Sequence, residues 1–244
     1  MKTLHLATIA LTLLLASNTV PAQAGFFDDL TSVLGVGGGS GSGLDDSTIA
    51  RGLKEALSTG TTRAVKAVSQ RDGYFGNDMI KILLPEKIRS TADMLGRFGF
   101  QKEVDDFVLS MNRAAEKAAP KATEHFVTAL KAMTFDDARA ILQGDATSAT
   151  QYFRQKTGDR IYADFKPVVV ANMKDVGVTR NYSQMKEKFE AIPFAGTIGT
   201  FDLDHYVTNK AVDGLFSMLG EEEKKIRTDP AARGTELLKK VFGK

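Results

Sequence analysis

From Leu44 onward, apolar residues recur every three or four positions, the spacing that gathers them on one face of an α-helix. Ile49, Leu53, Leu57, Ala64, Val65 and Val68 form the first such run, with Asp45, Asp46 or Ser47 available as N-cap. Gly52 and Gly60 inside it mark close helix packing or a break. Arg71-Asp72-Gly73-Tyr74-Phe75-Gly76-Asn77 is a turn by composition. Ile80, Ile82 and Leu84 then alternate, so Met79–Leu84 is extended, either an edge strand or an ordered connector lying across helices. Pro85 opens the next helix, which carries Ile88, Met94, Leu95 and Phe98 and breaks at Phe98-Gly99-Phe100. Val104, Phe107, Val108, Met111, Ala114, Ala115 and Ala118 make the clearest amphipathic helix in the chain.

The same grammar continues to the end. Pro120 starts a helix with Phe126, Val127, Leu130 and Met133, and Thr134-Phe135-Asp136-Asp137 resembles a capping box that opens a short helix stopped by Gly144. Thr147 or Ser148 caps a helix through Tyr152 and Phe153. A separate, longer one runs from about Asp159 to Val176, with Pro167 as a kink and Gly177 as its stop. Thr179 caps a helix to about Ala191, and Pro193 to Thr200 reads as a loop. Asp202 starts a long helix through Leu203, Tyr206, Val207, Ala211, Leu215, Met218, Leu219 and Ile226, and Asp229-Pro230 opens a terminal one ending on Leu237, Leu238, Val241 and Phe242. The pattern predicts an all-α fold: a single multi-helix domain of about eight to ten helices, an irregular bundle with at most one short extended segment.

Upstream of Leu44 the pattern changes. Lys2, an apolar run from Leu4 to Leu15, and Val20-Pro21-Ala22-Gln23-Ala24 have the order and length of a secretory leader cut after Ala24. Phe26, Phe27, Leu30, Val33 and Leu34 then form a short amphipathic helix, and Gly35 to Gly43 reads GVGGGSGSG, a flexible linker. A P-loop would need Lys-Ser/Thr after the last glycine, and Leu44-Asp45-Asp46 stands there instead. The chain therefore divides into a leader over 1–24, a short helix plus linker over 25–43, and a helical domain over 44–244. The expected location is the periplasm.

The absence of cysteine changes the picture further. In an oxidising compartment stability rests on packing, and thiolate chemistry, cysteine zinc sites and lipidation at the cleavage point are all removed. Charge is nearly balanced, with 32 cations (Lys2 leaving with the leader) against 30 anions. Acids and bases alternate within single turns, as in Glu221-Glu222-Glu223-Lys224-Lys225, which reads as solvated helix surface rather than a nucleic-acid face. No stretch after the leader reaches 18 continuous apolar residues, so no transmembrane span is expected, though the terminal amphipathic segments can touch a membrane surface weakly.

Several segments carry a resemblance. DDSTIARGLKEALSTGTTRAV, LLPEKI, DDFVLSMNRAAEKAAP, MTFDDARAIL followed by TQYFRQKT, and KAVDGLFSMLGEEEKKIRTDPAARGTELLKKVFG occur in that order from about Leu44 to Gly243. Together they resemble the exported bacterial family catalogued as domain of unknown function 4197. The resemblance implies an exported, helical, single-domain protein of a Gram-negative periplasm, and it carries over no catalytic or ligand residues.

Candidate chemistry is sparse. Asp202, Asp204 and His205 could offer two carboxylates and an imidazole to a metal, but residues two apart on a helix diverge by about 200°, and N-capping by Asp202 explains the same cluster. His125 and His205 are the histidines left after the leader, and no nucleophile elbow accompanies either. The pairs Asp28-Asp29, Asp45-Asp46, Asp105-Asp106 and Asp136-Asp137 sit near helix starts and read as dipole partners. Asn112, Arg113, Glu116 and Lys117 form a polar stripe that faces solvent or an internal groove, and Arg139, Arg154 and Arg180 lie near aromatic residues, where an arginine either bridges helices or holds an acidic ligand. Phe26 and Phe27, on a linker with an r.m.s. reach of about 15–18 Å, suit contact with a partner surface. No cofactor fingerprint occurs. The reading is a non-enzymatic envelope binding or interaction module, its partner an envelope protein or a small amphipathic ligand. The alternatives are a metal-assisted hydrolase built on Asp202, Asp204 and His205, or a helical carrier of a small amphipathic or acidic ligand.

Overall fold

The computed structural model describes residues 46–175, 178–191, 202–233 and Lys239, all within one compact unit, Leu44–Lys244. The leader, the Phe26–Leu34 helix, the glycine linker, the stop at Gly177, the 193–200 loop and the Leu237–Phe242 helix lie outside the described residues. Among the described residues every regular element is helical and no strand occurs. The elements are α1 (Asp46–Ser69), α2 (Glu86–Arg97), α3 (Gln101–Ala118), α4 (Ala122–Ala132), α5 (Phe135–Gln143), α6 (Ser148–Asp175), α7 (Val178–Glu190) and α8 (Leu203–Thr228). Short 3-10 turns at Ala119–Lys121 and Pro230–Ala232 carry Pro120 and Pro230, two of the three prolines expected to open helices.

Helix boundaries follow the local chemistry. Thr134 and Asp137 form a reciprocal capping box at α5, Asp202 caps α8 by accepting the His205 amide, and Asp229 accepts the Ala231 amide at the last turn. α1 passes unbroken through Gly52 and Gly60. A Cβ at Gly60 would sit 3.4 Å from Ile226, so that glycine marks close packing of α1 on α8. Pro85 is the residue before α2 rather than its first helical position. Gly99, at φ +87°, makes the left-handed turn between α2 and α3 that an L side chain disfavours.

The largest departure from expectation is α6. The two helices anticipated on either side of Asp159 are one element of 28 residues. Ala149, Phe153, Thr157, Ile161, Phe165, Val169 and Met173, spaced four apart, are all buried along it. Continuous burial of that series outweighs the propensity cost of Gly158 and Pro167 inside the helix. α6 is the hub of the bundle, packing against α8, α3 and α4, while α8 also packs on α1. Phe126 of α4 meets Phe153 of α6 and Phe216 of α8 edge-on, with ring centroids 5.2 and 5.9 Å apart.

Charged side chains enter this core where backbone groups need them. Glu223 does not lie on the solvated face expected for Glu221–Lys225; it is 5% exposed. Its carboxylate accepts the Ala149 and Thr150 amides, the Thr150 hydroxyl and the Arg227 guanidinium, capping α6 from another helix. Glu221 and Glu222 stay at the surface, paired with Lys224 and Lys225.

Candidate functional site

The segment between α1 and α2 organises an open concavity on the domain. Tyr74 is fully buried, its hydroxyl donating to the Ala211 carbonyl at 2.6 Å, and burial pushes that phenol far above its ordinary range. A Cβ at Gly214 would lie 2.6 Å from the Tyr74 ring and 3.2 Å from Ile80, so the missing side chain lets the turn seat against α8. Beyond it the chain runs extended through Leu84. Asn112, wholly buried on α3, holds Ile82 as a strand partner would: its carbonyl accepts the Ile82 amide at 2.8 Å and its amide donates to the Ile82 carbonyl at 2.9 Å. Met79–Leu84 is thus the ordered connector, pinned by a side chain in place of a second strand. Tyr206 of α8 fastens the other edge, its hydroxyl donating to the Leu83 carbonyl at 2.8 Å.

Connector and α8 therefore run antiparallel, Ile80 beside Gly214 and Leu83 beside Tyr206, and between them lies a trough of about 630 Å³. Met79 and Leu83 are 56% and 53% exposed on its lip, a large apolar surface for so short a segment. Lys81, Glu86, Lys87, Arg89, Lys210 and Asp213 supply its charges. The charges divide by whether the fold already uses them. Asp213 pairs with Arg154 at 2.9 Å, and the Lys81 ammonium sits 4.1 Å from the centre of the Phe75 ring. Lys87, Arg89 and Lys210 make no ion pair with any described residue, and the Lys210 ammonium stands 5.9 Å from the centre of the Tyr206 ring. Burial raises the Tyr206 phenol, with Arg89 opposing that rise and Glu86 adding to it.

The residues singled out from the sequence occupy other places. Arg113 bridges Asp72 at 2.6 Å and Glu116 at 2.7 Å, and Glu116 in turn accepts the Tyr74 and Phe75 amides. Arg154, besides its pair with Asp213, lies over the Phe216 ring at 4.7 Å. Both act as bridges between elements. Arg139 lines a separate small hollow of about 140 Å³ with Ile49, Phe135 and Leu142. Asp202 spends its carboxylate on the His205 amide, while the His205 ring contacts the Tyr162 hydroxyl and Asn209. Among the described residues no three His, Asp or Glu side chains gather as metal ligands. His125 pairs with Asp164 at 2.7 Å across α4 and α6. Phe26 and Phe27 lie outside the described residues. Among those described, no helix is long and apolar enough to cross a membrane.

Lys87, Arg89 and Lys210 were missed because each reads as ordinary helix surface, and Tyr206 because it reads as part of the apolar face of its helix. The available signal was Leu83, the apolar residue out of phase with Ile80, Ile82 and Leu84, with Lys81 two residues before it and Lys87 four after. No curated protein and no solved structure matches the chain. A family model does match, over residues 43–243 and so across the whole helical unit: the chain belongs to the family described as "Protein of unknown function (DUF4197)".

Proposed function

We propose that this chain is an exported, non-enzymatic protein of the bacterial cell envelope, and that it binds a ligand through the trough between the connector and α8. On this reading residues 1–24 are a leader, 25–43 a short helix and linker, and 44–244 a periplasmic domain of eight to ten helices. The observation that carries the reading is the pairing of exposed Met79 and Leu83 with three cations, Lys87, Arg89 and Lys210, that the fold leaves without ion-pair partners. Exposed apolar area beside unneutralised charge of one sign is what a surface offers to an amphipathic acidic ligand. The functional groups of the trough are binders; no nucleophile stands beside a base there.

Native mass spectrometry of the full chain, purified from its own envelope, tests this reading. The expected result is a bound molecule or partner on the wild type that is lost from Leu83→Asp, a substitution at an exposed position. A clean, unliganded chain in both cases, or a ligand retained equally by both, overturns it.

A further inference from the structure

We infer that the occupant of the trough is a single-chain amphiphile with a carboxylate head, bound with the head at Arg89 and Lys210 and the chain running along α8 toward Met79. The inference rests on the reading of the trough as a binding site, and it adds the class and orientation of the ligand.

Polarity along the trough sets the orientation. At the Tyr206 end stand Lys87, Arg89 and Lys210 against a single carboxylate, Glu86. At the Gly214 end Asp213 is neutralised by Arg154, Lys81 is drawn to the Phe75 ring, and Met79, Ile80 and Ser217 remain. One end is cationic and the other nearly uncharged and partly apolar, which suits a head and a tail. From Tyr206 to Ser217 the wall of α8 is about 16 Å long at 1.5 Å per residue, room for a chain of roughly a dozen carbons. The trough volume falls within the ordinary range of roughly 300–1,000 Å³ for small-molecule sites.

The backbone argues for a lone head group over an extended acidic peptide. Strand addition needs a row of free amides and carbonyls. Of the four polar backbone groups on Ile82 and Leu83, Asn112 and Tyr206 already hold three. The Leu83 amide is left, on the same edge of the connector as the carbonyl that meets Tyr206, because a residue's N–H and C=O leave an extended chain on the same side. One amide on a trough that Arg89 and Lys210 also line suits the two oxygens of one carboxylate.

Calorimetric titration of the full chain with dodecanoate, kept below its micelle concentration, tests this. We expect one dodecanoate per chain, with affinity falling as salt is raised. Arg89→Glu and Lys210→Glu should each weaken binding at least tenfold, and Met79→Asp at the far end should weaken it as well. All three positions are exposed, so unchanged thermal melting of each variant serves as the check on folding. Acetate, the head without a chain, and dodecyl maltoside, the chain without a charge, should bind at least tenfold more weakly. Equal binding of dodecyl maltoside, or variants indistinguishable from wild type, overturns the inference. So does an acidic peptide that binds where dodecanoate does not, an outcome that leaves the trough itself standing as a binding site. If a Leu83-dependent species is absent from native mass spectra too, the site reading falls with it.

Discussion

At the scale of single residues, this domain is held by polar side chains that stand in for missing backbone partners. Glu223 is the clearest case. The first amides of a helix have no partner within it, and those of α6 at Ala149 and Thr150 are supplied by a carboxylate from α8. Arg227 completes the arrangement by pairing with the same carboxylate at 2.9 Å and donating to the Ile141 carbonyl, which ties α5 to the pair. Removing one partner of a buried, hydrogen-bonded pair leaves the other charge and its donors stranded. Glu223→Ala should therefore cost about 3–5 kcal/mol, read as a drop in the urea midpoint. Glu223→Gln should recover part of this, because its one carbonyl can accept only some of the same donors. A loss below 1 kcal/mol for Glu223→Ala would show that water replaces the carboxylate freely.

At the scale of elements, the Thr134–Asp137 cap was readable from a short sequence window, whereas Thr179, expected as a cap, falls inside α7, and the connector was readable only in part. Thr134 and Asp137 sit in a local pattern, and the structure has the reciprocal bonds, with Thr134 Oγ1 accepting the Asp137 amide at 3.1 Å. Hydrogen bonds from Thr134 hold the Asp137 carboxyl below the usual carboxylate range. A carboxyl lowered on folding adds stability that is present above its unfolded value near 3.9 and is lost as pH falls through the folded value. Thr134→Ala should cost about 1 kcal/mol at neutral pH, and the gap between variant and wild type should narrow but not close below about pH 4, because the lost bond from the Asp137 amide does not titrate. Melting curves at pH 7 and pH 3 check both halves of that statement. The connector differs because its partner lies thirty residues away on α3. Alternation of Ile80, Ile82 and Leu84 shows an extended chain, but nothing local shows that Asn112 pairs with it. Asn112→Ala strips the Ile82 amide and carbonyl of partners in a dry interior and should cost about 2–3 kcal/mol. Because the connector walls the trough, the same variant should also weaken dodecanoate binding, whereas Glu223→Ala, acting at the start of α6, should not.

At the scale of the whole molecule, fold class was legible and the hub was not. Residues four apart on a helix advance by about 40° around its axis at each step. The buried series from Ala149 to Met173 therefore winds around α6, so no single face emerges and the helix reads as two weaker ones around Gly158. What makes it one element is that other helices meet it along the whole spiral, a fact of packing that no window of sequence contains. Glu223 was misread for the same reason, its neighbours in sequence being surface and its neighbours in space being the start of α6. With no disulfide available and one continuous core, the described helices should unfold together. Phe153 is the place to test this, since it is fully buried and its ring joins α6 to Phe126 of α4, which in turn meets Phe216 of α8. Phe153→Ala should cost about 3–5 kcal/mol, the sum of lost transfer energy and the cavity left behind. The slope of unfolding free energy against urea should stay at its wild-type value, because the same surface is exposed in one step. Helical circular dichroism and tyrosine fluorescence, the intrinsic probe in a chain without tryptophan, should give one shared midpoint. Two separated transitions would instead mean that α6 links two independently stable halves, and the hub description would have to be abandoned.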